Sequence, residues 1–136
     1  MELKLLEEKK RGDILFCLQR FNGEGTWMAG SSDAAIHSIP FSGEQKNTLP
    51  LQGHQSYVTG LATAAGRLWS VGYDRLLNEW DVEKGRLVSS RLAHQKWIRN
   101  IKASPDDSQL ATVGDDMVAR IWSARTGELI HELKGH

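Results

Sequence analysis

The sequence predicts an all-β chain made of about three copies of one antiparallel unit, and three observations carry that prediction. The first is a period near 40 residues: Asp33, Asp74 and Asp116 lie 41 and 42 apart, and His54, His94 and His136 lie 40 and 42 apart. The second is a fixed step of six residues from each Asp to a large apolar residue, Ile39, Trp80 or Trp122. The third is a run of short alternating segments broken by Gly, Asp and Pro turns roughly every ten residues, the pattern of antiparallel strands. A period of this length marks a repeat built from one supersecondary unit. Such a unit buries its apolar faces only against its neighbours.

The clearest copy runs from Leu51 to Val88. Gly53-His54 opens it, Val58 to Leu61 alternates as a first strand, and a turn at Ala65-Gly66-Arg67 leads to Leu68 to Val71. A tight turn at Asp74 leads to Leu76 to Trp80, and Glu83-Lys84-Gly85 introduces Arg86 to Val88. The following copy repeats this in frame: Ile98 to Ile101, a turn at Ser104 to Asp107 with Pro105 suited to its second position, Gln109 to Thr112, Val118 to Trp122, and Glu128 to Leu133. A worn copy stands in front. Trp27 to Asp33 fits the second strand and turn, Ala35 to Ile39 the third strand and Ile14 to Phe21 the first. Its Gly-His pair is missing, although Gly12-Asp13 keeps the spacing of 20 residues that separates His54 from Asp74. Met1 to Arg11 stays open. Leu3 and Leu5 alternate as in an edge strand, whereas Leu3, Leu6 and the Glu7–Lys10 spacing suit a short helix.

Composition narrows the function classes. The chain has 136 residues, 40% hydrophobic and 25% charged, with a formal net charge of zero; these are globular values. Zero net charge gives no general footprint for nucleic acid or an anionic membrane. The longest apolar run, Ile14 to Leu18, is too short to span a bilayer. No secretory signal pattern opens the chain. The single cysteine, Cys17, forms no intrachain disulfide and reads as a core thiol in a reducing, cytoplasmic setting.

The Gly-His opening, the turn Asp and Trp80-Asp81 at the end of a third strand resemble the WD-repeat family, over about Asp13 to His136. The resemblance implies a partial β-propeller of about three four-stranded antiparallel blades. On that frame residues 1–13 are an N-terminal segment and possible edge strand, 14–50 a degenerate first blade and 51–90 a second. Residues 91–136 form a third blade, ending on the Gly-His of a next repeat. The resemblance also implies a buried hydrogen-bonded set: His54, Ser70, Asp74 and Trp80 in one blade, His94, Thr112, Asp116 and Trp122 in the next. A buried indole N–H needs an acceptor and a buried carboxylate needs donors, and a His can bridge them. With Ala29, Asp33 and Ile39 at the corresponding places and no His, the worn copy is expected to lack this network and to be the least stable blade.

Catalysis is not expected. Ser, His and Asp in one set invite a triad reading, but nothing supplies an oxyanion hole or an exposed nucleophile. The five histidines, His37, His54, His94, His131 and His136, show no zinc-site spacing, and no phosphate loop occurs. No metal or cofactor is therefore expected. In the family, peptides bind at the residues flanking the first-strand landmark and at the residue before the turn Asp. Here those are Tyr57, Thr59 and Tyr73, then Trp97, Arg99 and Asp115, with Ser32 in the worn copy. Tyr, Trp and Arg are hot-spot residues. The expected function is a protein-interaction scaffold binding protein or peptide partners. The competing reading is a regulatory or sensing segment of a larger multidomain enzyme. Three blades are fewer than the four to eight of a closed ring. Either missing blades or self-association of copies must then cover the end faces, and the pattern, which begins and ends mid-repeat without capping units, favours a piece of a longer protein.

Overall fold

The computed structural model describes residues 4–5, 8, 10–21, 26–40 and 50–135. Among them are twelve strands and no helix: β1 (Leu15–Phe21), β2 (Thr26–Ser31), β3 (Ala35–Pro40), β4 (Leu51–Gln52), β5 (Val58–Ala64), β6 (Arg67–Gly72), β7 (Leu76–Asp81), β8 (Arg86–Leu92), β9 (Ile98–Ala103), β10 (Gln109–Gly114), β11 (Val118–Ser123) and β12 (Leu129–Lys134). They form three four-stranded antiparallel meanders, β1–β4, β5–β8 and β9–β12. This is a partial β-propeller of three blades. Leu51–Gln52 pairs with Ala35 and Ile36 and completes the first blade, so the frame that opened the second blade at Leu51 shifts to Gly53-His54. The second blade likewise runs on to Leu92. The cause is common to both: the outer strand of a blade lies directly ahead of the His-bearing segment that starts the next. The choice between strand and helix for Met1 to Arg11 falls largely outside the described residues, as does His136.

The turn between the second and third strands is the same device three times. The carboxylate of Asp33, Asp74 or Asp116 accepts the backbone N–H two residues on, from Ala35 (3.0 Å), Leu76 (3.1 Å) or Val118 (3.3 Å). This closes the side-chain turn that makes Asp favourable there. The residue between is left-handed in each case: Ala34 at φ 67°, Arg75 at 70° and Met117 at 62°. None is glycine, so each turn carries a conformational cost.

Burial follows the layering of the blades. The inner strands of the middle blade are covered on both faces, and β6 is buried along nearly its whole length, whereas its outer strand β8 is mostly exposed and β12 is exposed throughout. Between the first and second blades lie Phe21, Met28, Ile36, Val58, Leu61, Leu68 and Trp80, with Cys17 at the edge. Cys17 is half-buried, and burial pushes its thiol up to about 11. Between the second and third lie Trp69, Val71, Leu77, Ile98, Ile101, Leu110 and Trp122. Truncating a buried Trp such as Trp80 to Ala costs about 3–5 kcal/mol in such cores.

One irregularity matters for function. In every blade the pairing of the first two strands slips by one residue near its start, between Leu15 and Cys17, between Val58 and Gly60, and opposite Val113–Gly114. The extra residues are Phe16, Thr59 and Arg99. A β-bulge re-aims the side chain it carries, and the three bulges recur at the same place, near the start of each blade's first strand. The backbone N–H that closes each bulge is also shared: Ser32 to Ile14, Tyr73 to Tyr57 and Asp115 to Trp97, each at 2.9 Å. The close approach explains Gly72, where an added Cβ would stand 2.4 Å from the Tyr57 carbonyl oxygen.

Candidate functional site

Beneath that end of the molecule, each of the second and third blades holds a linear relay. In the second, the Trp80 indole N–H donates to Ser70 Oγ (2.7 Å), Ser70 Oγ contacts His54 Nε2 (2.6 Å), and His54 Nδ1 meets Asp74 Oδ2 (2.7 Å). Because the indole can only donate, the hydroxyl proton is free to go to Nε2. Nδ1–H then donates to the carboxylate, and every member is satisfied. The third blade repeats this with Trp122 to Thr112 (2.9 Å), Thr112 to His94 (2.8 Å) and His94 to Asp116 (2.9 Å). It adds Arg120, whose Nη1 donates to Asp116 Oδ2 (2.8 Å) and whose Nε donates to Glu132 (2.9 Å).

These environments set the charges. Burial pushes the Asp116 carboxyl up, but hydrogen bonds from His94, Arg120 and the Gln95 amide outweigh it and hold the group well below the usual carboxylate range. Asp74 lies below its ordinary value through the same opposition, with His54 against burial. Burial pulls the His94 imidazole below its ordinary value, with Asp116 opposing and Arg120 assisting. The relays are sealed: the His54 and His94 side chains are 0% exposed. A Ser or Thr clamped between an indole and an imidazole faces no substrate, so this geometry is that of a framework.

The first blade has no Trp–Ser–His chain, in line with its residues, but it is not bare. Asp13 stands where the others have His, and His37 reaches Asp33 from β3 at 2.8 Å. The Ser31 hydroxyl donates to Asp13, and Arg11 grips both Asp13 oxygens at 2.7 and 2.9 Å. The Arg11 guanidinium, then Ser31, hold the Asp13 carboxyl well below the usual range. Asp13, Asp33 and His37 are the one set of three potential metal ligands among the described residues, their atoms lying within 4.8 Å of one another. Arg11 already supplies the counter-charge of Asp13.

Above the framework the expected contact residues come together as one strip of rings. Phe16 stacks on Tyr57 (centroids 5.2 Å apart), Tyr57 lies 5.5 Å from Tyr73, and Tyr73 stacks on Trp97 at 4.2 Å with 8° between the planes. Arg99 covers the end, 5.2 Å from the Tyr73 centroid and 5.5 Å from that of Trp97. Its guanidinium donates twice to Asp115, at 2.7 Å each, and once to the Tyr73 hydroxyl at 2.8 Å. The strip is exposed: Phe16 40%, Tyr57 42% and Trp97 49%. Thr59 differs from its expected place on this surface. Its hydroxyl donates to the Ile98 carbonyl at 2.6 Å and ties the second blade to the third. Ser32 likewise is engaged with its own blade, its Oγ accepting from the Ile14 N–H at 3.0 Å. Sequence reasoning missed Phe16 and Ile14, which occupy the places of Arg99 and Trp97 in the first blade.

The class this fold and its framework define is the β-propeller of repeated four-stranded blades. A family description, "WD domain, G-beta repeat", matches residues 85–123. The nuclear distribution protein PAC1 of Arthroderma otae is 33% identical over 102 residues, covering 68% of this chain and 22% of that protein. The apoptotic protease-activating factor 1 of Rattus norvegicus is 27% identical over 118 residues, covering 86% of this chain and 9% of its own length. A chain in a crystal structure of a mitotic checkpoint complex superposes with a TM-score of 0.83 over 96% of this chain and 41% of the other, at 20% identity. The chain thus spans about a fifth of the PAC1 length. It belongs to the WD-repeat family. Repeats of this family are generally non-catalytic, and their propellers generally bind proteins. No helix of the described residues is long and apolar enough to cross a membrane.

Proposed function

We propose that the chain is a non-catalytic, cytoplasmic protein-interaction platform whose contact surface is the strip formed by Phe16, Tyr57, Tyr73, Trp97, Arg99 and Asp115. The observation that carries this reading is the run of ring contacts from Phe16 through Tyr57 and Tyr73 to Trp97, which joins side chains of all three blades, with the bulge residues Phe16 and Arg99 at its two ends. Stacked, half-exposed aromatic rings beside an Arg supply large rigid contact area at low entropic cost, the makeup of a binding hot spot. The interior Ser, Thr, His and Asp are occupied by the framework, which leaves none of them free to act as a nucleophile.

A second element of the proposal is that further blades cover the outer faces of the first and third. Leu18 and Val113, 51% and 39% exposed, stand where Leu61 and Val71 of the middle blade pack against their neighbours. Relatives that are much longer than this chain favour such blades within one protein, and leave room for a regulatory segment of a larger multidomain protein.

The test is selection of a random displayed-peptide library on the full chain. Binders are expected to lose at least about tenfold in affinity, the scale of one hot-spot side chain, against Trp97→Ala, whose melting temperature matches the wild type. Binders indifferent to both Trp97→Ala and Tyr73→Ala overturn the proposal.

A further inference from the structure

The cleft beside Trp97 carries a charge that the chain as a whole does not. It has a volume of about 390 Å³ and is lined by Tyr73, Arg75, Gln95, Lys96, Trp97 and Asp115. Of its three charged groups, Asp115 is already neutralised. Arg99 holds it through two hydrogen bonds and, with weaker help from Lys96, keeps its carboxyl below the ordinary value. The carboxylates in the adjacent turns, Asp74 and Asp116, are turned inward. Their side chains are 5% and 6% exposed and are saturated by His54, by His94 and Arg120, and by backbone amides. Arg75 and Lys96 are left exposed, and no described carboxylate reaches either within the 4.0 Å of an ion pair. The whole chain has a net charge of zero. Its aromatic strip nonetheless ends at two cations that no described carboxylate pairs.

We propose that the peptide taken by this face is acidic. An Asp or Glu carboxylate lies between Arg75 and Lys96, while an apolar or ring-bearing neighbour packs on Trp97. This rests on the platform reading above and specifies its partner. Charge complementarity beside a low-dielectric wall favours such a partner. Exposed charges are worth little alone, but one flanked by stacked rings is less screened and steers an oppositely charged partner. A carboxylate fits better than a phosphate. Tight phosphate recognition uses several Arg forks, and the fork of Arg99 is engaged bidentately with Asp115, which leaves a single Arg and a Lys.

The experiment uses the same random peptide library on the full chain, with selected peptides then measured by fluorescence anisotropy. Enriched peptides are expected to carry Asp or Glu next to an apolar or aromatic residue. Replacing the selected Glu by Gln should cost about tenfold, the scale of one lost charged contact, and less at high salt. The double charge reversal Arg75→Glu with Lys96→Glu should lose these peptides and enrich Lys-bearing ones, while Trp97→Ala loses both sets. Neutral or basic peptides that ignore the reversal but are lost with Trp97→Ala would overturn the acidic inference and leave the platform standing. Phosphoserine in place of the selected Glu, binding more than about tenfold tighter, would overturn the carboxylate assignment. Peptides indifferent to all these variants would overturn both readings.

Discussion

The first and third blades hold the same turn Asp in place by different means, and the contrast separates what the fold requires from what it tolerates. In the third blade Asp116 is sealed, its side chain 6% exposed, and the chain Trp122–Thr112–His94 runs into it from the core. In the first blade Asp33 is 44% exposed and leans on His37, while Asp13 takes the place of the framework His and is neutralised by Arg11 and Ser31. The residue four after the turn Asp decides much of this. It is His37, Asn78 or Arg120 in the three blades. Arg120 pairs with Asp116 and with Glu132 across the outer strand. Asn78 accepts from Ser90 at 2.6 Å but leaves its Nδ2 buried without a partner. What every blade keeps is a carboxylate that closes the turn; what varies is whether its counter-charge comes from the core or from the surface.

Substitutions in equivalent places sharpen this difference. Asp116→Ala leaves buried Arg120 with Glu132 alone and takes the acceptor from His94 Nδ1, and should cost about 3 kcal/mol. Asp33→Ala removes an exposed pair and the Ala35 N–H bond that closes the turn, and should cost about 1 kcal/mol. Chemical denaturation of both variants measures the gap. Ser70→Ala leaves the Trp80 indole and one His54 nitrogen unpaired in a buried site, a loss of about 1–3 kcal/mol, again read by denaturation; a loss near zero would break the relay.

The pH dependence follows from the third blade. The folded pKa of His94 is lowered, so the unfolded chain binds its proton first, and stability falls as pH drops below about 6.5. Asp116 is depressed, so its contribution is full above about pH 4, the unfolded range, and is lost as pH falls further. Melting temperature against pH should therefore decline in two stages, and Asp33→Ala should leave both in place. The smallest expected effect is a gain. Met117 is left-handed and 61% exposed, so Met117→Gly should stabilise by about 0.5–1 kcal/mol.

Much of the fold was legible because the turn Asp and the Trp six residues on are tied to fixed places, a side-chain-closed turn and a buried indole. The placement of Phe16 and Ile14 in the first blade was not, and the reason is a compensation of lengths. Four residues separate His54 from Val58 but two separate Asp13 from Leu15, while the hairpin from β1 to β2 is longer by the same amount. The spacing of 20 from Asp13 to Asp33 therefore hides a shift that places Phe16 at the end of the aromatic strip. Thr59 carries another lesson, since its hydroxyl is bonded to the Ile98 carbonyl of the next blade. Position alone cannot tell a hydroxyl offered to solvent from one bonded to a neighbouring blade. Arg120 carried no signal, since the place it fills tolerates His and Asn.

The central claim is that the second and third blades contain sealed relays beneath an open aromatic face, and indole N–H exchange followed by NMR tests it most directly. The Nε1–H protons of Trp80 and Trp122, bonded to Ser70 and Thr112, are expected to exchange only with global unfolding, while that of the half-exposed Trp97 exchanges far faster. Exchange of the Trp122 proton at the rate of Trp97 would contradict it.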